Sequence, residues 1–171
     1  MLLAALPATL RPLIQIAAIT GWRVRSELLP MRWQQVDFER GWIRLEPGST
    51  KGREGREFSM IDELRAAFQA QREQALGVWV FPGRNGGPLQ SFPKSWRRAT
   101  KAAGLDGLHV HDLRRSAVRS MIRAGISPVV AMRLCGWKSY AMLERYAIVE
   151  STMLEEAGAK LQSFLGIAAS C

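Results

Sequence analysis

"GLHVHDLRRSAVRSMIRAG", residues 107–125, opens on a turn glycine, crowds His111, Arg114 and Arg115 into one short span, and closes on Gly125. From His111 onward it reads as a helix that stops at Gly125, because glycine enters the left-handed conformation of a helix end without steric penalty. His111 and Arg114 lie three positions apart, so on one helix their side chains leave the same face and can converge on a single cluster of oxygens. Arginine's planar fork makes two parallel bonds to a phosphate, and a histidine near neutrality can donate or accept a proton beside it. The same spacing also describes the solvated basic face of a surface helix.

Helices continue on both sides of this span. Upstream, "FPKSWRRATKAAG" forms a helix with Ser91 as its cap and Gly104 at its end. Downstream, Ser127 followed by Pro128 starts another. Beyond "CGWKS" a short helix carries Tyr146, and Leu154, Ala157, Leu161 and Leu165 mark an amphipathic helix over Ser151–Gly166. Near the N-terminus, Leu10, Leu13, Ile14, Ala17 and Ala18 share one helical face, Gly21 ends it, and Ser26 caps a new turn. Only from about Gln34 does the period change: "VDFERGWIRLEP" and "REFSMI" alternate apolar and polar residues around Gly41 and "KGREG", the signature of a small antiparallel sheet. Asp62 then caps a long helix with Leu64, Ala67, Phe68 and Ala75 on its stripe, ending near Gly77, and "VWVFPGRNGGPLQ" follows as a buried segment and a loop.

The chain has 171 residues, enough for one domain with a proper core, and 47% hydrophobic with 23% charged residues argues against disorder. Its 24 Lys and Arg outweigh 15 Asp and Glu to give a net charge of +9, a field that favours polyanions, nucleic acid first among them. Cys135 and Cys171 have no ligand-type spacing, so neither a disulfide framework nor a metal site is expected, and a reducing compartment is. Pro7, Arg11 and Pro12 interrupt the apolar opening, which reads as a core helix of a cytoplasmic protein and not as a membrane span or signal peptide.

Other residues could complete a phosphate site. Arg23 and Arg25 precede a helix start, where free N–H groups favour anions, and Glu27 can fix an arginine fork or neutralise it. Lys51 stands in the hairpin turn, where a flexible ammonium either stays solvated or protonates a leaving oxygen. Tyr146 becomes a nucleophile only where cations stabilise its phenolate or a base takes its proton; otherwise its ring packs in the core. Tyr140, in the turn after Trp137, is the poorer candidate.

In order along the chain, "TGWR" (20–23), "STKG" (49–52), "HDLRR" (111–115), "LCGWKS" (134–139) and "LERY" (143–146) resemble the catalytic domain of the tyrosine recombinase, or phage integrase, family. The resemblance implies an α+β, mainly α fold with a small three-stranded antiparallel sheet, and a site-specific recombinase that cuts and rejoins DNA without a metal or other cofactor. It implies that Arg23 and Arg114 bind the scissile phosphate, Lys51 protonates the leaving 5′ oxygen, His111 transfers a proton at the nucleophile, Trp137 supports the phosphate site, and Tyr146 attacks to give a 3′-phosphotyrosyl link. The implied partner is double-stranded DNA, bound by a homotetramer, with a free fragment expected to be a monomer; bacterial or phage cytoplasm is the implied location. The presence of only four aspartates agrees with chemistry that does not use a two-metal carboxylate cluster.

Three features depart from the family pattern. Arg23 keeps the "TG-x-R" match, but the spacing to Glu27 leaves Arg25 open as the first arginine. Trp137 stands where most members have histidine, and tryptophan can donate one hydrogen bond but not shuttle a proton. No counterpart of the family's N-terminal clamp domain is read, so residues 1–171 are expected to be a single catalytic domain, a fragment or a short form with weakened DNA affinity. Two alternatives remain: a DNA-binding module, since "VRSMIRAGISPVVAMRLCGW" has a helix-turn-helix pattern, or an inactive integrase remnant.

Overall fold

Pro7 divides the apolar N-terminus. With no N–H to give and a fixed φ, proline separates α1 (Leu2–Ala5) from a single 3-10 turn (Ala8–Leu10), and only then does α2 (Arg11–Thr20) run. The expected core helix is therefore three pieces, of which α2 alone is central. The computed structural model describes residues 2–48, 55–75, 77–138 and 151–166; Lys51, Tyr140 and Tyr146 lie outside the described residues. Residues 1–138 form one unit and residues 139–171 another.

In the first unit α2 packs against α3 (Asp62–Gln74) and α5 (Asp112–Arg123), so it is covered on more than one side. Ile16 is consequently buried together with the expected Leu13, Ile14 and Ala17. On α3 the anticipated stripe of Leu64, Ala67 and Phe68 is buried, and Gln71 joins it by donating from Nε2 to the Val80 carbonyl at 2.8 Å. Helix α4 (Pro93–Ala102) packs against α1, and α6 (Pro128–Cys135) against α5 and the sheet.

The sheet has three antiparallel strands in chain order, β1 (Val36–Asp37), β2 (Trp42–Leu45) and β3 (Arg56–Ser59). Val36 stands opposite Ile43, and Ile43 opposite Phe58, so these three share one face and all are buried. Trp42 and Ser59, a register step away, are exposed. The architecture is the mainly helical α+β expected.

Three expected caps are corrected. Ser26 caps nothing: Val24–Leu28 is a π turn with Arg23 at its cap position, and the longer Glu27 side chain reaches back to accept the Arg23 N–H at 2.7 Å. Ile61 and Phe92, not Asp62 and Ser91, occupy the cap positions of α3 and α4. At α4 the first helical residue is Pro93, which has no N–H to satisfy. Ser127 does cap α6, accepting the Val130 N–H at 3.4 Å. In the second unit the C-terminal helix α7 runs Ser151–Phe164, within the usual boundary difference of the Ser151–Gly166 expected. Among the described residues no helix is long and apolar enough to cross a membrane.

The end of α2 is the joint that positions the site. Thr20, fully buried, donates from Oγ1 to the Ile16 carbonyl at 2.7 Å and accepts the Trp22 N–H at 3.2 Å. The Trp22 indole, 1% exposed, packs edge-to-face with Phe58 and donates to the Leu134 carbonyl at 2.9 Å, tying α2, β3 and α6 together. Thr20→Val keeps the shape but strands the buried Trp22 N–H, so it should lower stability by about 1–3 kcal/mol in urea unfolding. An unchanged midpoint would mean that the hydroxyl holds nothing.

Candidate active site

Glycines close both α2 and α6. Gly21 (φ 65°) and Gly136 (φ 70°) take left-handed conformations that a side chain disfavours, and each leaves a carbonyl at the negative end of its helix. Space makes the same demand: a Cβ on Gly21 would come within 2.7 Å of Cys135 Sγ, and one on Gly136 would overlap the Arg56 guanidinium.

Arg114, in the first turn of α5, spans these two ends. Its Nη1 donates to the Gly21 carbonyl at 2.6 Å and its Nη2 to the Gly136 carbonyl at 3.0 Å, and the guanidinium lies 5.9 Å from the centroid of the Trp137 ring. The residue is 4% exposed. Burial, reinforced by the nearby positive charge of Arg23, pulls its pKa down to about 10, so it remains a cation at neutral pH. A cation thus held has lost much of the solvation it would have in water. A bound anion would offset that loss.

A second anchor lies beside the first. Glu27, 2% exposed, receives the Arg23 N–H on one oxygen at 2.7 Å and the Arg23 Nη1 on the other at 2.8 Å. The oxygen that takes Arg23 Nη1 also pairs with Arg56 Nη2 at 2.5 Å, and Arg56 Nη1 donates to the Cys135 carbonyl at 2.7 Å. Arg23 is therefore oriented by a buried carboxylate while its side chain stays one-third exposed. Arg25 is exposed and lines a different feature, a cleft of about 850 Å³ with Leu29, Trp96, Arg97 and Val110.

His111 stands at the cap position of α5, exposed, and its own carbonyl accepts the Arg114 N–H at 3.2 Å. Partial desolvation, then the charges of Arg114 and Arg115, push its imidazole below the ordinary histidine pKa, against the opposing pull of Asp112. That shift favours the neutral ring, in which one nitrogen can accept a proton. Trp137 is buried, its backbone N–H donating to the Met132 carbonyl at 2.9 Å. The structure thus brings Arg23, His111, Arg114 and Trp137 into one neighbourhood; Lys51 and Tyr146 fall outside the described residues. Among the described residues no three of His, Cys, Asp and Glu are grouped to hold a metal ion.

Arg56 is the residue that sequence reasoning missed. Its signal was present: strand alternation puts Arg56 on the same face as the buried Phe58, so a guanidinium points inward where an apolar side chain is the rule.

The phage integrase family model matches residues 2–153, and the chain belongs to that family. It is 27% identical to the integrase of Salmonella phage P22 over 92% of this chain and 43% of that protein, and 28% identical to a shufflon-specific DNA recombinase of Escherichia coli over 83% and 35% respectively. The chain thus spans less than half the length of these relatives. Its fold matches that of XerA recombinase with a TM-score of 0.74 at 20% identity, over 94% of this chain and 61% of that one. It matches lambda integrase bound to a core site with a TM-score of 0.66 at 26% identity, over 85% and 55%.

Proposed function

We propose that this chain is the catalytic domain of a site-specific DNA recombinase, a strand transferase acting on double-stranded DNA through a covalent tyrosine intermediate. The observation that carries the reading is the buried Arg114 guanidinium held between the Gly21 and Gly136 carbonyls, with Arg23 fixed beside it by Glu27. A phosphodiester gains a second negative charge as a nucleophile adds to phosphorus, and two preorganised guanidiniums stabilise that charge without reorganising.

In this reaction the Tyr146 hydroxyl attacks the scissile phosphorus, forming a 3′-phosphotyrosyl bond as the bond to the 5′ oxygen breaks. His111 takes the tyrosine proton and Lys51 gives one to the leaving oxygen. A 5′ hydroxyl from a second strand then displaces the tyrosine, and because the ester bond energy is conserved no nucleotide is consumed. Trp137 walls the phosphate site beside Arg114. The exposed Lys94, Arg97, Arg98 and Lys101 of α4, with the overall charge of +9, supply the field that a duplex backbone needs. On the same reading four protomers join two DNA sites, with no metal ion required.

The experiment is a trap. A pool of nicked suicide duplexes with randomised flanks, incubated with the chain in EDTA, should give a covalent adduct on a denaturing gel, with the nucleotide mapped by peptide mass spectrometry to Tyr146. Retarded DNA on a native gel with no covalent adduct would instead establish a binding module, and an adduct mapped to another residue would remove Tyr146 from the mechanism.

A further inference from the structure

We infer that Arg56 is the positioning residue that sets the two phosphate-binding arginines, Arg23 and Arg114, relative to one another. The inference rests on the recombinase reading above. Each arginine has its own anchor, and Arg56 touches both. Its Nη2 pairs with the Glu27 oxygen that also holds Arg23 Nη1. Its Nη1 donates to the Cys135 carbonyl, one residue before the Gly136 carbonyl that holds Arg114 Nη2. The guanidinium is seated against Gly136 so closely that no side chain fits there.

A planar fork suits this position and an ammonium does not. Arg56 forms an ion pair with a carboxylate through one nitrogen and donates a hydrogen bond to a carbonyl through the other, whereas lysine offers a single point charge on a flexible stem. Its side chain is 8% exposed, so water is poorly placed to replace either contact. The strand that carries it also fixes its direction: Phe58, two residues on, is buried on the same face in a T-shaped contact with Trp22. Arg56 thereby links β3 to the π turn that presents Arg23 and to the end of α6 that holds Arg114. Arg56 itself, enclosed beneath Gly136 and Glu27, acts through those groups.

Such a role predicts a slower chemical step at unchanged affinity. With the trapping duplexes at saturating protein, Arg56→Lys should lower the single-turnover rate of adduct formation roughly 10- to 100-fold, the scale expected for a sub-ångström to ångström misplacement of catalytic groups. Duplex affinity on native gels should stay within about twofold, since the exposed cations that track the backbone are untouched. A merely structural role would reduce the amplitude, the fraction of competent molecules, and leave the rate constant of the remainder as in the wild type. Arg56→Gln, which retains a planar donor group, should fall between lysine and wild type in amplitude but share the rate defect.

A duplex with sulfur in place of the leaving 5′ oxygen distinguishes the target of the positioning. Sulfur leaves without a proton, so it should rescue Lys51→Ala and not Arg56→Lys. Rescue of Arg56→Lys would assign Arg56 to the lysine hairpin and overturn the inference, as would a wild-type rate constant in both Arg56 variants. If the wild-type chain forms no adduct, the recombinase reading fails and this role with it; a wild-type adduct with unaffected Arg56 variants sinks the role of Arg56 alone.

Discussion

Arg114→Ala should slow covalent trapping of nicked duplexes by about 10³-fold or more, the range found when a single preorganised donor or arginine is removed from a charge-developing transition state. The size follows from how the guanidinium is held. Two carbonyls at helix ends and a buried setting fix its position before any substrate arrives, so no free energy is spent on orienting it during the reaction. Affinity for duplex should fall far less, under about tenfold, because the exposed Lys94, Arg97, Arg98 and Lys101 of α4 are untouched.

Folding does not confound this measurement. The substitution removes two charge-assisted hydrogen bonds, each worth about 1.5–3 kcal/mol. It also removes a cation whose pKa, drawn down to about 10 by burial, marks a desolvation cost on the order of 3 kcal/mol at neutral pH. These oppose one another. The variant should therefore lose no more than about 3 kcal/mol and stay folded while its cleavage rate collapses. A rate loss below about tenfold in a folded protein would remove Arg114 from the centre of the site.

The fold was legible where local chemistry decides it. Apolar periodicity located α2 and α3, the stop at Gly125 located α5, alternation located β2 and β3, and Gly21 and Ser127 marked ends because each answers a local steric or hydrogen-bonding need. Reading failed where two local candidates competed. At the second turn Ser26 has the preferred capping side chain, yet Glu27 reaches the Arg23 N–H because it is also drawn inward by two guanidiniums, one of them 29 residues away on β3. No window of neighbouring residues contains that partner. Arg56 escaped for the same reason: alternation reveals that it faces inward, but only tertiary packing shows that it meets Glu27 and the α6 end. The choice between Arg23 and Arg25 was open in spacing alone, and it is Arg23 that the carboxylate holds while Arg25 is exposed.

Glu27→Gln is the second large effect, and it should appear in stability before activity. The carboxylate is buried and its two oxygens take the Arg23 backbone N–H, the Arg23 fork and the Arg56 fork. An amide keeps the volume but presents an NH₂ group to at least one donor and leaves the enclosed Arg56 charge without its counter-ion. Breaking a buried pair by removing one partner typically costs about 3–5 kcal/mol, because the remaining charge stays desolvated. Urea unfolding should show a loss of that order, in contrast to Arg114→Ala. The two arginines can then be separated by a cycle. If the penalty comes from the uncompensated Arg56 cation, Glu27→Gln combined with Arg56→Met should be more stable than Glu27→Gln alone, since the second change removes the stranded charge and fills its place with apolar volume. If the double variant is instead less stable by the full sum of the single losses, the Glu27 and Arg56 side chains are energetically independent, and the carboxylate serves the Arg23 turn only.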